Sequence, residues 1–167
     1  MVSDDYLIGF VEGEGMFYIG IVPSRETKTG WQVIYFFKVS QNPIGREILE
    51  EIKKRLNCGY IKQNSQTDLT DSSLAFVVRD LSSIRDKVIP FFDGKLFIKR
   101  ESFTKFKQVI DLVNQKKHLT KEGMTEILTI AYSMNSQKRR VAMEKILEAY
   151  QELESSQTIR QSPVKLG

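Results

Sequence analysis

The spacing of apolar and polar positions changes several times along the first half of the chain. Residues 4–13 have a helical pattern, with Ser3 or Asp4 as the N-terminal cap. Residues 16–22 and 31–41 alternate between apolar and more polar positions, which predicts two strands. The segment between them, residues 23–30, is polar and rich in turn-forming residues, so it is predicted to be the loop that connects the two strands.

A helical pattern returns after the second strand, and a second pair of strands follows it. Residues 44–56 carry an apolar stripe at helical spacing, and Gly59 is expected to end that helix in the left-handed conformation. Strands are predicted at 60–66 and 73–79, and these two are expected to form a hairpin. Helices are predicted at 81–88, 99–117, 121–134 and 141–153. This order predicts an α+β fold in which helices cover one face of an antiparallel sheet.

The composition is that of a globular protein. Of the 167 residues, 41% are hydrophobic and 28% are charged, and no apolar run reaches the length of a membrane span. We expect one domain over residues 1–153 and a polar, flexible tail over residues 154–167. Cys58 is the only cysteine, and the first residues do not have the pattern of a secretion signal. An intracellular location is therefore expected, in a bacterial or archaeal cytoplasm or in an organelle.

Charge is distributed unevenly along the chain. The net charge is +4, and residues 95–121 contain eight Lys or Arg residues against two acidic ones. Such a basic stretch suggests a polyanionic partner, and a solvated helix face rich in lysine is the alternative explanation. Because His118 is the only histidine, a zinc site and a histidine-based metal nuclease are not expected.

The first predicted helix ends within residues 7–15, LIGFVEGEG. A helix C-terminus carries partial negative charge, so Glu12 and Glu14 are unfavourable there unless a cation binds them. Gly9 and Gly13 lie on one side of the helix and suggest the close approach of another backbone. If that neighbour is a second copy of the same helix, the two Glu14 carboxylates would lie near a two-fold axis and share divalent cations. The alternative is that the glycines only end the helix and the acids are ordinary surface residues.

Carboxylate ligands suit Mg²⁺, and paired metals promote phosphodiester cleavage by activating water and stabilising the leaving oxygen. The nine-residue motif, followed at once by an alternating strand, resembles the LAGLIDADG motif of homing endonucleases. The chain is similar to the single-motif, homodimeric branch of that family. The similarity extends to about residue 153 and includes Val39-Ser40-Gln41, Gly59-Tyr60-Ile61, Pro90-Phe91-Phe92 and residues 135–140.

The resemblance implies both a fold and an activity. The fold is α+β, an αββαββα homing-endonuclease-like arrangement with an antiparallel, saddle-shaped DNA-binding sheet and additional C-terminal helices. The activity is that of a site-specific endonuclease in intron homing. A homodimer would bind a long, near-palindromic double-stranded DNA site and hydrolyse phosphodiesters on both strands. Mg²⁺ is the implied cofactor, Mn²⁺ or Ca²⁺ can replace it for binding, and neither a small-molecule cofactor nor a membrane is expected as a partner. The alternative is a non-cleaving protein of this type, such as an intron-splicing maturase.

The roles of the motif residues follow from the same resemblance. Glu14 corresponds to the direct metal ligand, and Gly13 corresponds to the position whose backbone carbonyl assists it. Glu12 corresponds to an acid with a less direct role. The dimer interface is expected to contain Leu7, Gly9, Phe10 and Gly13.

Two further catalytic residues are implied outside the motif. Gln41 corresponds to a polar residue that orients water, and Lys99 corresponds to a lysine near the scissile phosphate. Residues 93–96 look like an insertion, so Lys95 is a rival of Lys99 for this role. An arginine is often found in this family a few residues beyond the position of Gln41, and Gly45 occupies that place here.

The open face of the predicted sheet would read base edges in the major groove of DNA. Gln32 and Asn64 would pair with adenine, and Lys38 and Lys62 with guanine. If each protomer covers about one helical turn, the site of the dimer spans roughly 20 base pairs. The predicted DNA-binding residues are Tyr18, Gly20, Val22, Ser24, Arg25, Lys28, Gln32, Ile34, Phe36, Lys38, Ser40, Lys62, Asn64, Lys138, Arg139 and Arg140, of which the last three are expected to hold the phosphate backbone.

Overall fold

The computed structural model describes residues 2–65, 67–68, 70–134 and 141–161, with side chains to residue 157. In chain order the elements are α1 (Asp4–Glu14), β1 (Gly15–Pro23), β2 (Trp31–Gln41), α2 (Arg46–Leu56), β3 (Tyr60–Gln63), β4 (Leu74–Val78), α3 (Leu81–Ser83), α4 (Ile89–Phe92), α5 (Arg100–Asn114), α6 (Lys121–Met134) and α7 (Met143–Gln161). Short 3₁₀ turns precede α2 and α6, and a π-helical turn joins α3 to α4. The predicted α+β class is confirmed.

The four strands form one sheet in the order β1-β2-β4-β3. Strand β4 lies antiparallel to both of its neighbours, with Ser40 and Lys62 on either side of Ala75. Because β4 has a strand on each side, residues 75–78 are all buried, whichever face they point to.

Contacts between residues divide the chain into two compact units. The first unit contains the residues up to Ile19 together with Tyr35–Ile110, and the second contains Gly20–Ile34 together with the residues from Asp111 onward. The expectation of one domain over residues 1–153 stays a prediction. In the part of the chain that the structure describes, no helix is both long enough and apolar enough to cross a membrane.

The core of the first unit is a cluster of phenylalanine rings. Phe17 stacks on Phe37 with a centroid distance of 5.2 Å and meets Phe103 edge-on at 4.9 Å. Phe92 and Phe106 also contact the ring of Phe17. These rings come from one face of the sheet and from α4 and α5, so the two helices close the core over that face.

Helix α2 buries the predicted apolar stripe, with Leu49, Ile52 and Leu56 at its centre. Its C-terminal cap differs from the prediction. Asn57, rather than Gly59, directly follows the helix in the left-handed conformation, with a φ of 49°. Asparagine tolerates this conformation because its short polar side chain can form local hydrogen bonds.

Two helical segments are longer than predicted. The segment expected to end at residue 88 continues into α4, because the π-helical turn changes the hydrogen-bond register just before Pro90, which has no N–H to donate. Helix α7 continues to Gln161, beyond the predicted end at residue 153. The start of α6 is as expected, since the Thr120 hydroxyl accepts a hydrogen bond from the N–H of Gly123 at 3.1 Å.

The second unit has its own core between α6 and α7. Met124 and Ile127 of α6 are buried, as are Ile146 and Tyr150 of α7. The Tyr150 hydroxyl donates a hydrogen bond to the carbonyl of His118 at 2.9 Å. A buried tyrosine needs such a partner, so this contact ties the 3₁₀ turn before α6 to α7.

Candidate active site and nucleic-acid interface

Helix α1 has one buried side and one open side. Its N-terminus is capped by Ser3, whose hydroxyl accepts a hydrogen bond from the N–H of Tyr6 at 3.2 Å. Leu7 is only 2% exposed and belongs to the core of the protomer, so it cannot contribute to a dimer interface as predicted. Phe10 is half-buried.

Gly9 and Gly13 face free space on the open side of α1. A Cβ atom added at either position would meet no atom of the described residues within 4 Å, apart from its chain neighbours and the nearest backbone of the helix itself. Glycine nevertheless costs a helix about 0.5–1 kcal/mol relative to alanine. Packing within the described part of the protomer therefore gives no reason for glycine at these positions.

Glu14 is the last residue of α1, and β1 begins at the next residue. Its carboxylate is exposed and forms no hydrogen bond or ion pair with any residue that the structure describes. The last carbonyls of a helix, to which Gly13 contributes, also have no intrahelical partner. Carboxylate and carbonyl oxygens at a negative helix end fit Mg²⁺. No group of three or more His, Cys, Asp or Glu side chains suited to a metal occurs among the described residues.

Glu12 has contacts that its place in the motif did not indicate. Its carboxylate accepts hydrogen bonds from three consecutive backbone N–H groups, those of Phe97 at 2.5 Å, Ile98 at 2.8 Å and Lys99 at 3.2 Å. These bonds join the end of α1 to the segment that leads into α5. The oxygens of Glu12 are thus occupied by backbone donors.

The two candidate lysines have different surroundings. Lys99 lies beside the motif, because its N–H is one of the three donors to Glu12. Lys95 is exposed, and its Nζ lies 5.1 Å from the ring centroid of Phe91. The contacts therefore favour Lys99 as the lysine that acts together with the motif.

Gln41 ends β2 and lies opposite Leu74 of β4. Its side chain passes close to Gly45, where an added Cβ would lie 2.8 Å from the Gln41 Oε1. An arginine at position 45 would therefore require Gln41 to move. Among the described residues, the side chains of Gln41, Glu14 and Lys99 form no hydrogen bonds with one another.

The sheet face opposite the phenylalanine core carries aromatic and basic side chains. Within the first unit, Tyr18 stacks on Phe36 with a centroid distance of 4.7 Å, and the guanidinium carbon of Arg79 lies 5.7 Å from the Phe36 centroid. Lys38 donates a hydrogen bond to the side-chain oxygen of Asn64 at 2.7 Å. The structure thus brings predicted DNA-binding residues together in two pairs.

Positive charge is concentrated on this open face. Partial burial lowers the pKa of Lys38, and the neighbouring charges of Lys62 and Arg79 lower it further, while Asp71 opposes them. The pKa of Asp71 is itself lowered, chiefly by its hydrogen bonds with Ser73. A group of like charges is unfavourable in the free protein and favourable for binding a polyanion.

Two residues of this face are missing from the predicted DNA-binding set. Tyr60 lies opposite Val77 and is 44% exposed, and the exposed Arg79 directly follows β4. The alternation of the strands contained both signals. Tyr60 shares its face of β3 with Lys62, and Arg79 continues the series that Ala75 and Val77 begin.

The distal part of the β1–β2 hairpin belongs to the second unit. Its loop is held by a hydrogen bond from the Ser24 N–H to the Gly30 carbonyl at 2.8 Å, and by another from the Thr27 hydroxyl to the Trp31 carbonyl at 3.0 Å. Predicted DNA-binding residues in this part are the exposed Arg25, Lys28 and Gln32 and the half-buried Gly20, Val22, Ser24 and Ile34. Lys138, Arg139 and Arg140 lie outside the described residues.

Comparison with known proteins agrees with the resemblance of the motif. The family model for LAGLIDADG endonuclease matches residues 7–110. Probable intron-encoded endonuclease 2 of Neurospora crassa is 31% identical over 137 residues, which cover 80% of this chain and 29% of that protein. The crystal structure of the homing endonuclease I-TnaI has a TM-score of 0.74 and 32% identity, over 91% of this chain and 98% of that chain. I-SmaMI bound to an uncleaved DNA target in the presence of calcium ions has a TM-score of 0.77 and 25% identity, over 91% of this chain and 50% of that one.

The extent of the match differs between these relatives. The chain spans between 24% and 29% of the length of the first curated relatives that it matches, but almost the whole of I-TnaI. The family model covers most of α1, the sheet and most of α5, and it includes the candidate catalytic residues Glu14, Gln41 and Lys99. Since that match includes more than half of the sequence, the chain belongs to the LAGLIDADG endonuclease family.

Proposed function

We propose that this protein is a site-specific DNA endonuclease of the homing type that acts as a homodimer. The observation that carries the proposal is the exposed Glu14 carboxylate at the C-terminal end of α1, which has no partner among the described residues. An acid there is unfavourable unless a cation binds it. Strand β1 begins at the next residue, so a cation at Glu14 would lie beside nucleic acid bound on the open sheet face near Tyr18.

Glu14 and the backbone carbonyl of Gly13 would hold Mg²⁺, with Mn²⁺ or Ca²⁺ as possible replacements for binding. A divalent cation bound there would supply the charge that activates water and stabilises the leaving oxygen of a phosphodiester. The complex of I-SmaMI with uncleaved DNA in the presence of calcium ions supports a divalent-cation site in proteins of this kind.

Gln41 and Lys99 would act on the same phosphodiester. The Gln41 carboxamide would orient the attacking water, which needs both a donor and an acceptor. The Lys99 ammonium would neutralise the negative charge that develops on the phosphate. The anchoring of Lys99 to the motif through Glu12 supports this choice over Lys95.

A second copy of the chain would complete the site. The sequence contains the motif once, so one protomer contributes one Glu14 carboxylate. The free space beside Gly9 and Gly13 would let two α1 helices touch across a two-fold axis, with Phe10 at the edge of the interface. The match of this chain to half of the I-SmaMI chain is consistent with a two-copy enzyme.

Double-stranded DNA would lie on the open face of the sheet. The paired rings of Tyr18 and Phe36 would pack on thymine methyl groups or sugars, while Lys38, Lys62 and Arg79 would contact base edges or phosphates. Two protomers would together cover a near-palindromic site of roughly 20 base pairs.

The decisive experiment measures binding and cleavage of a library of palindromic duplexes with Mg²⁺. The wild type should cut both strands. Glu14→Gln should bind equally well but cut at least about 100-fold more slowly, because an amide is a poorer metal ligand. Glu126→Gln is the matched control, since Glu126 is exposed on α6, and it should cut at the wild-type rate.

The outcomes of this experiment separate the candidate functions. A wild type that binds a site but leaves both strands intact with Mg²⁺ would refute the endonuclease and favour a non-cleaving protein such as a maturase. Cleavage by Glu14→Gln at the wild-type rate would remove Glu14 from the active site.

The homodimer needs a separate measurement. Gly9→Leu should leave the protomer folded, because nothing in the described chain lies within 4 Å of the added Cβ. The variant should sediment as a monomer and lose cleavage of both strands. A wild type that is itself monomeric at micromolar concentration, both alone and on DNA, would contradict the proposed assembly.

A further inference from the structure

Glu12 is the acid of the motif to which the proposed chemistry gives no role. Its carboxylate nevertheless accepts the N–H groups of Phe97, Ile98 and Lys99, at distances between 2.5 and 3.2 Å. Each of these hydrogen bonds is charge-assisted and therefore stronger than one between neutral groups. They connect Glu12, two residues before Glu14, to the lysine proposed to act on the phosphate.

The anchored segment is not held by its own side chains. Phe97 and Ile98 are apolar but 79% and 82% exposed. The buried residues that flank the segment are Leu96 and Phe103. Among the contacts of the described residues, the hydrogen bonds to Glu12 are the ones that join the backbone between Leu96 and Phe103 to another element.

Both polar backbone groups of Lys99 are occupied. Its N–H donates to Glu12, and its carbonyl accepts the N–H of Phe103 at 2.9 Å and the hydroxyl of Ser102 at 3.0 Å. The backbone of Lys99 is thus fixed between the end of α1 and the first turn of α5. The contacts with α1 and α5 therefore fix the direction of the Lys99 Cα–Cβ bond, from which its side chain extends.

We infer that Glu12 is a positioning residue that sets the place of Lys99 relative to Glu14. The inference rests on the proposed function, which gives Lys99 its part in the reaction. A displacement of about 1 Å in a reacting group can lower a rate by about 100-fold. Loss of the anchor should therefore slow cleavage while leaving the metal ligands and the DNA-binding face intact.

The test is a double-mutant cycle measured by single-turnover cleavage of a target duplex with Mg²⁺. Glu12→Gln keeps the size of the side chain but loses its charge and one acceptor, and should slow cleavage roughly 10- to 100-fold. In a Lys99→Met background the same substitution should slow cleavage less than about twofold, because no ammonium remains to be positioned. An equal effect in both backgrounds would indicate a merely structural role and would overturn the inference.

Two further measurements distinguish the anchor from other roles. The Mg²⁺ concentration for half-maximal rate should be the same in Glu12→Gln as in the wild type, and a large rise would make Glu12 a metal ligand instead. Amide hydrogen exchange at residues 97–99 of the free protein should be faster in Glu12→Gln than in the control Glu126→Gln. Unchanged exchange would refute the anchor itself.

The result can also be separated from a failure of the proposed function. A wild type that does not cleave DNA would overturn both proposals together. A wild type that cleaves, with Glu12→Gln at full rate, would overturn this inference alone. If Glu12→Gln does not fold, Glu12→Asp is tested in its place under the same criteria. Aspartate keeps the charge but moves the carboxylate oxygens about 1.5 Å away from the three N–H donors.

Discussion

Phe36 and Phe37 are consecutive residues of the same type in β2, yet they lie in opposite environments. Phe37 is fully buried, with its ring stacked on Phe17. Phe36 is half-buried on the open face, between the ring of Tyr18 and the guanidinium of Arg79. One face of the sheet is thus a packed core, while the other keeps aromatic rings and charges available to a ligand.

The two faces also differ in what they do for stability. The core face removes large apolar surfaces from water, which favours folding. On the open face, Lys38 is partly buried near Lys62 and Arg79, which lowers its pKa and makes its charged form costly. Surfaces arranged at some cost to the free protein are candidates for function, and this cost supports the DNA-binding assignment.

The largest expected effect comes from truncating the two neighbouring rings in turn. Phe37→Ala should lower the free energy of unfolding by about 3–5 kcal/mol, because it opens a cavity in the core. Phe36→Ala should lower it by less than about 1.5 kcal/mol but weaken DNA binding. Chemical denaturation and fluorescence anisotropy measure the two quantities. Similar losses of stability in both variants would contradict the division between the faces.

Two glycines with the same backbone conformation provide a second comparison. Gly59 and Gly30 both have a φ of 76°, but a Cβ at Gly59 would lie 2.6 Å from the Phe76 ring. A Cβ at Gly30 would meet no atom within 4 Å in the part of the chain that the structure describes. Both alanine variants pay about 1–2 kcal/mol for the left-handed conformation. Gly59→Ala should cost a further 1–3 kcal/mol, roughly, because it overpacks the core. Equal melting temperatures of the two alanine variants would show that the Phe76 ring can move to make room for the added methyl group.

Removing charge from the open face should affect binding rather than folding. Lys62→Met and Arg79→Met should each weaken DNA binding about tenfold or less, and a contact to phosphate would reduce the salt dependence of log K by about one unit. Lys54→Met is the control, because Lys54 is exposed on α2, which covers the core side. The measurement is a titration at several salt concentrations. An equal loss of DNA affinity in Lys54→Met would show that the effect comes from the net charge of the protein alone.

The smallest effect concerns the stability of the free protein at alkaline pH. The pKa of Lys38 is lower in the folded state than its ordinary value of 10.5, so the unfolded state binds more protons between the two values. The cost of the charged Lys38 is therefore present at neutral pH and relieved as pH rises through this window. Relative to Lys38→Met, the wild type should gain stability by about a few tenths of a kcal/mol as the pH rises toward 10.5, since the ammonium is partly solvated. Denaturation curves across this range would show the sign.

Local patterns predicted which residues of the first two strands lie on the open face. A strand alternates every two residues, whatever surrounds it, so assigning Tyr18 and Phe36 to the open face left Phe17 and Phe37 for the core. The motif likewise located Glu14 at the end of a helix, because its pattern is nine consecutive residues.

Contacts between distant parts of the chain could not be predicted in this way. The donors to Glu12 follow it by 85 to 87 positions, and no local pattern links them. The cap at Asn57 was missed because asparagine and glycine compete for the same conformation within three residues. Leu7 was assigned to an interface because the sequence does not distinguish the side of α1 that the protomer itself covers.

The close approach of Gln41 to Gly45 couples the side chains that these two positions can carry. Any side chain at position 45 would place its Cβ 2.8 Å from the Gln41 Oε1, so a substitution there displaces the side chain that we propose to orient the attacking water. A library that varies position 45 alone would therefore test each new side chain together with a displaced Gln41. Varying positions 41 and 45 together would allow a shorter residue at one position to accompany a longer residue at the other. Such a library would contain residue pairs that single substitutions cannot produce.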